Sequence, residues 1–118
     1  LGADVIFHNG VTDEKYFELL SDSLALVSAS RAEGFGIPLI EAMSLGVPVV
    51  CSDTSIFREV GGQAALYFEP GNSAQLAQQL DSLREQWRER STLSLENAKR
   101  FNWAASAKAL DEFINRVA

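Results

Sequence analysis

The sequence predicts an α/β domain built on a doubly wound, Rossmann-like parallel sheet of about four strands. Three observations lead there. Short apolar runs alternate with stretches of helical periodicity. Those runs are nearly continuous in apolar residues, as when both faces of a sheet are covered. Glycine and proline punctuate the joints between them. At 118 residues, 47% hydrophobic and 22% charged, the chain has one domain's worth of material and enough apolar surface for a core.

Val5-Ile6-Phe7 is a strand signal, ended by the Asn9-Gly10 turn. Thr12 suits the N-cap of a helix over roughly 13–21, with Asp13 and Glu14 placed for its dipole and Tyr16, Phe17, Leu19 and Leu20 on its buried side. Leu24 to Val27 is a second strand, followed by the glycine-rich turn Ala32-Glu33-Gly34-Phe35-Gly36. A helix from Ile37 to Leu45 follows, with Pro38 in its first turn, Gly46 just past its end and Pro48 stopping it. Val47 to Cys51 is a third strand, and one helical turn is expected around Ile56 to Val60 before Gly61-Gly62. Ala65 to Phe68 is a fourth strand. Ser73 is the expected cap of a long helix with Leu76, Leu80, Leu83 and Trp87 on one face. A shorter helix over 91–100 and a last one, capped by Asn102 and carrying Trp103, close the chain.

Charge excludes some partners. The net charge is −6, poor material for a nucleic-acid or anionic-membrane surface. Residues 1–60 carry the whole deficit, with three cations against nine acids. No apolar run reaches the ~18–20 residues of a transmembrane helix. The single cysteine precludes an internal disulfide and, with a single histidine, a Cys/His zinc site. A cytoplasmic location is expected. His8 reads as a surface or structural residue, Cys51 as core, and Trp87 and Trp103 as packing anchors. Arg31 and Arg58 are the cations nearest the loops of interest, and for Arg31 a solvated ion pair is at least as good a reading as a phosphate contact.

Glu41 is the residue that asks for an explanation. From Gly34 to Ser52 it is the only charge, on a helix that is apolar nearly all round. A carboxylate there must be hydrogen-bonded. Two accounts stand. It accepts from backbone amides near Gly36 as a local cap, or it accepts from a ligand such as the vicinal diol of a ribose. Glu33 stands eight positions earlier, at the carboxyl end of a strand, where ligands of open parallel sheets bind. The Gly34, Phe35 and Gly36 amides open onto a helix N-terminus, which favours an anion such as phosphate.

The run from Ala29 to Met43, with Glu33 and Glu41 as a Glu-x7-Glu element, resembles the signature of retaining glycosyltransferases of family 4. The blocks Gly46 to Val50, Arg58 to Ala65, Pro70 and Phe101-Asn102-Trp103 extend the resemblance over essentially the whole chain. Asn9 stands where that family carries glycine and Ala29 where it carries proline. The resemblance implies the GT-B fold, with residues 1–118 as the latter part of its C-terminal donor-binding domain and the acceptor domain absent. It implies Glu33 as the catalytic carboxylate, bonding sugar hydroxyls. Phe35, Gly36 and Ile37 amides, with Gly34 beside them, would lie on the donor's sugar and phosphates, and Glu41 on the ribose. The donor would be a nucleotide-sugar, with no metal or other cofactor.

The cations that neutralise a diphosphate lie upstream in that family, which agrees with the −6 balance. The fragment alone is therefore expected to be inactive. Its last helix, which in that fold crosses to the partner domain, would expose its apolar face or bury it in a homodimer. A non-catalytic nucleotide-sugar binding or interaction module is the alternative. A phospho-receiver domain does not fit, because Asp4 stands alone and Lys99 and Lys108 fall in helices.

Overall fold

The computed structural model describes residues 5–29 and 36–101. The elements run α1 (Asp13–Ser21), β1 (Leu26–Ser28), α2 (Ile37–Ser44), β2 (Val49–Ser52), α3 (Ser55–Gly61), β3 (Leu66–Phe68) and α4 (Ser73–Ala98). The three strands form one parallel sheet in the order β1-β2-β3, with Leu26 opposite Val49 and Val50 opposite Leu66.

The period-two alternation of β2 divides the core. Val49 and Cys51 point into a cluster with Leu39, Ile40 and Met43 of α2 and Phe57 and Val60 of α3. Val50 points to the other face, against Leu66, Phe68 and Leu83, with Leu76, Leu80 and Trp87 of α4 around them. All four β2 residues are buried, which explains why the strand has no polar face in sequence. Helices thus cover both faces, the Rossmann-like α/β arrangement that the alternation of elements implies.

Local chemistry sets the helix ends. The Thr12 hydroxyl accepts from Lys15 N at 3.2 Å and the Thr54 hydroxyl from Phe57 N at 3.2 Å. Gly36 caps α2 with φ +80°, a left-handed conformation that glycine tolerates, and Pro38 occupies the first turn. Asn72, not Ser73, caps α4, its side chain accepting from Gln75 N at 2.9 Å. An asparagine at this position satisfies the same orphan amide as serine would one residue later.

Two further expectations need correction. Residues 91–100 do not form a separate helix, because α4 runs unbroken for 26 residues, about 39 Å. Nothing from Arg88 to Ser91 breaks a helix, since neither glycine nor proline is there. Continuity lets α4 act as a strap from one sheet face to the other. Trp87 Nε1 donates to Leu24 O at 2.8 Å, Arg90 Nη1 to Gln63 O at 2.8 Å, Ser91 Oγ to Gly46 O at 2.6 Å and Asn97 Nδ2 to Val60 O at 2.8 Å.

The first expected strand, Val5 to Phe7, is not one. It is irregular and exposed, with Phe7 at 86%, so the described sheet has three strands rather than four. A strand requires a neighbour for its amides and carbonyls. Val5 to Phe7 pairs with none of the three strands β1, β2 and β3.

Close packing at the end of α3 yields a prediction. A Cβ on Gly61 would meet Tyr67 Oη at 2.7 Å and Ala65 Cβ at 2.8 Å. Tyr67 is anchored there, donating to Gly62 O at 2.7 Å. Gly61→Ala should destabilise by about 1–3 kcal/mol, seen as a lower urea midpoint at unchanged slope.

Candidate functional site

Ligands of open parallel sheets bind beyond the carboxyl ends of the strands. Here those ends are Ser28, Ser52 and Phe68, and α2, α3 and α4 all begin at that edge. Because α1 leads into the amino end of β1, its first turn lies at the same edge. Tyr16 in that turn and Glu41, one turn into α2, meet there: the Tyr16 hydroxyl donates to Glu41 Oε1 at 3.1 Å. Side chains of a helix tilt toward its N-terminus, which carries the Glu41 carboxylate back toward Gly36 and the edge.

Glu41 is 8% exposed. Burial raises its pKa from the ordinary carboxylate value, the Tyr16 hydrogen bond lowers it and the Asp13 charge raises it, with a net upward shift. Burial, together with the neighbouring Glu41, pushes the Tyr16 phenol far above its usual range, so the hydroxyl keeps its proton and remains a donor. Of the two accounts of Glu41, the local cap on the Gly36 amides is not the one seen. The donor among the described residues is a side chain from another helix.

The raised pKa has a consequence for stability. The native state favours the protonated acid. The contribution of Glu41 is fully present below the unfolded pKa of about 4.3 and is lost as pH rises through the raised native value. Glu41→Gln should therefore be more stable than the parent at neutral pH, with that gain gone by about pH 4. Urea unfolding at the two pH values reads the difference.

Gly36 sits at the N-terminus of α2 and cannot gain a side chain freely. Its φ is +80°, and a Cβ would lie 3.4 Å from Val60. The Gly36 and Ile37 amides have no acceptor within the helix, and Pro38 has no N–H to add. Glu33, Gly34 and Phe35 lie outside the described residues, as do Arg31, Asn102 and Trp103. The structure therefore brings Glu41, Gly36 and Ile37 to one edge, and the relation of Glu33 to Glu41 is not part of it.

Arg58 does not reach toward Glu41. Its Nε and Nη2 donate to the two Asp53 oxygens at 2.7 and 2.8 Å, and its guanidinium lies 4.1 Å from the Tyr67 ring centroid. The hydrogen bonds from Arg58 hold the Asp53 carboxyl below its usual range. This is an exposed, solvated ion pair. Cys51 is buried in the core with its thiol pushed up to about 12 by burial, and His8 is exposed. Trp87 packs against the α4-side cluster, as an anchor should. On that opposite sheet face, at the same edge, Ala29, Phe68, Gly71, Asn72, Ser73 and Leu76 line a cavity of about 180 Å³.

Tyr16 is the site residue that sequence reasoning missed. It reads there as one more member of the buried side of α1. The available signal was its polar tip, since a tyrosine hydroxyl on a buried face needs a partner. Glu41 is the one charged residue of the apolar segment that follows β1.

Residues 1–101 match the family described as Glycosyl transferases group 1. The chain is 42% identical over 98 residues to O-antigen chain mannosyltransferase B of Escherichia coli, covering 79% of this chain and 25% of that protein. It is 32% identical over 110 residues to the serotype-specific mannosyltransferase WbdA of Escherichia coli, covering 93% and 14%. It is 37% identical over 94 residues to the phosphatidyl-myo-inositol mannosyltransferase of Mycobacterium leprae, covering 73% and 24%. The chain thus spans about a quarter or less of the length of each of these relatives. With a match that takes in α1 to α4 and the glycine-rich turn before α2, the chain belongs to the group 1 glycosyl transferases.

Proposed function

We propose that residues 1–118 form the latter part of the donor-binding domain of a retaining glycosyltransferase of family 4 with the GT-B fold. The full protein transfers a sugar from a nucleotide-sugar to an acceptor, and needs no metal for it. The observation that carries this reading is Glu41: a buried carboxylate at the carboxyl edge of the sheet whose one described donor occupies Oε1. Its remaining acceptor capacity suits a vicinal diol. Glu33 is assigned the sugar hydroxyls, and the amides of Gly34, Phe35, Gly36 and Ile37 the sugar and phosphates. A mannosyl donor is the first to try, because the relatives are named mannosyltransferases.

The exposed Val5-Ile6-Phe7 supports a missing neighbour. Its place in a doubly wound sheet is beside strands contributed by an upstream half-domain. That half would also bring the cations for a diphosphate, since Arg58 is engaged by Asp53. Among the described residues no helix is long and apolar enough to cross a membrane. A cytoplasmic site of action is part of the proposal.

Two measurements test it. The full-length protein, given nucleotide-sugars and acceptor, should form a glycoside whose anomeric configuration by NMR matches the donor. Inversion, or no transfer from any nucleotide-sugar, overturns the reading. Residues 1–118 expressed alone should transfer nothing, and turnover by that piece would show that upstream cations are not required.

A further inference from the structure

We infer that Tyr16 is a positioning residue for Glu41, holding one carboxylate oxygen so that the other is presented to the hydroxyls of the donor ribose. This rests on the donor reading of Glu41 given above. The geometry supplies the rest. Tyr16 and Glu41 lie on different helices, α1 and α2, and the 3.1 Å bond between them joins two side chains at the carboxyl edge of the sheet.

A free carboxylate on a helix rotates about its last torsion, which is broad rather than locked in one well. The bond to Oε1 removes that freedom. Of about four acceptor positions on the two oxygens, it consumes one and leaves Oε2 whole. Tyr16 is itself held, because Phe17 and Leu20 bury the same helix into the core and Thr12 caps it two residues before Glu14. Its ring packs edge-on to Phe17, with centroids 5.2 Å apart. Ordering the acceptor before the ligand arrives lowers the cost of binding. The hydroxyl stays protonated beside the carboxylate and so remains a donor to it. Tyr16→Phe would keep the ring and remove only the donor.

The test compares a ribonucleotide with its 2′-deoxy counterpart on the full-length protein. GDP, UDP and ADP are titrated by calorimetry to find the one bound, and the deoxy form of that nucleotide is titrated next. The parent protein should prefer the ribonucleotide. Tyr16→Phe should shrink that preference by about three- to tenfold, the worth of one hydrogen bond. In turnover the donor KM should rise while kcat stays within about twofold, because the group binds ground and transition states alike.

A ratio of affinities on one preparation does not respond to a partial loss of stability. Tyr16→Leu repeats the measurement with the ring removed as well as the hydroxyl. An unchanged ribose preference in both variants assigns Tyr16 a structural role and overturns the inference. A parent protein indifferent to the 2′-hydroxyl overturns the ribose assignment of Glu41, and the role of Tyr16 with it.

Discussion

Phe57→Ala should cost about 3–5 kcal/mol of stability, the largest effect of any single change considered for this protein. Phe57 is 1% exposed and sits where α3 meets α2 and the β2 face bearing Val49 and Cys51. Its backbone is held on both sides: the amide donates to Thr54 Oγ1 at 3.2 Å, and the carbonyl lies 3.2 Å from the Tyr67 hydroxyl, whose one proton goes to the nearer Gly62 O at 2.7 Å. Pinned walls cannot collapse into the space that the ring vacates, which puts the cost toward the upper end of the range. Against a total of about 5–15 kcal/mol for a typical domain, that loss removes a large share of the stability. Leu95→Ala is the control. Leu95 is 44% exposed on α4, and its truncation should change stability by about 0.5 kcal/mol or less. Urea unfolding of both variants reads the contrast. A Phe57→Ala variant as stable as the Leu95→Ala variant would mean that the core described around α3 is not the one that holds the fold.

Much of this architecture was legible because local chemistry and packing agree. The Thr12 cap and the Asp13-Glu14 pair start α1 where expected, and Gly46 (φ +73°) with Pro48 ends α2 where expected. The apolar run of β2 reads as doubly covered and is buried throughout. What failed to show has a common cause, in that pairing is not a property of a segment alone. Val5-Ile6-Phe7 has the composition of a strand, but composition cannot supply a hydrogen-bonding neighbour. β1 begins at Leu26 rather than Leu24 for a similar reason: its register is set by pairing with Val49 to Cys51. In the site, the sequence marked Glu41 as a carboxylate needing a partner. It could not name Tyr16, because a contact 25 residues apart between two helices depends on how both lie on the sheet.

Glu41→Ala in the full-length protein should weaken donor binding about ten- to a hundredfold, the equivalent of ~1.5–3 kcal/mol for a hydrogen bond to a charged group. The loss should be larger than that from Tyr16→Phe, because the alanine removes the acceptor itself. Stability should move differently from affinity. Taking away a buried carboxylate relieves its desolvation but leaves the Tyr16 hydroxyl without the partner it has at 3.1 Å. Those two terms oppose each other, so the unfolding midpoint should shift little while the donor affinity falls. Glu41→Gln separates the contributions. It keeps an oxygen for Tyr16 and removes the charge, so it should retain the fold and bind donor with an affinity between that of the parent and the alanine variant. Calorimetric titration of each variant with the nucleotide-sugar, beside its urea midpoint, gives both quantities from the same preparation. If stability drops by more than about 1.5 kcal/mol while donor affinity holds, Glu41 serves to tie α1 to α2, and the donor site must be sought around Glu33 without it.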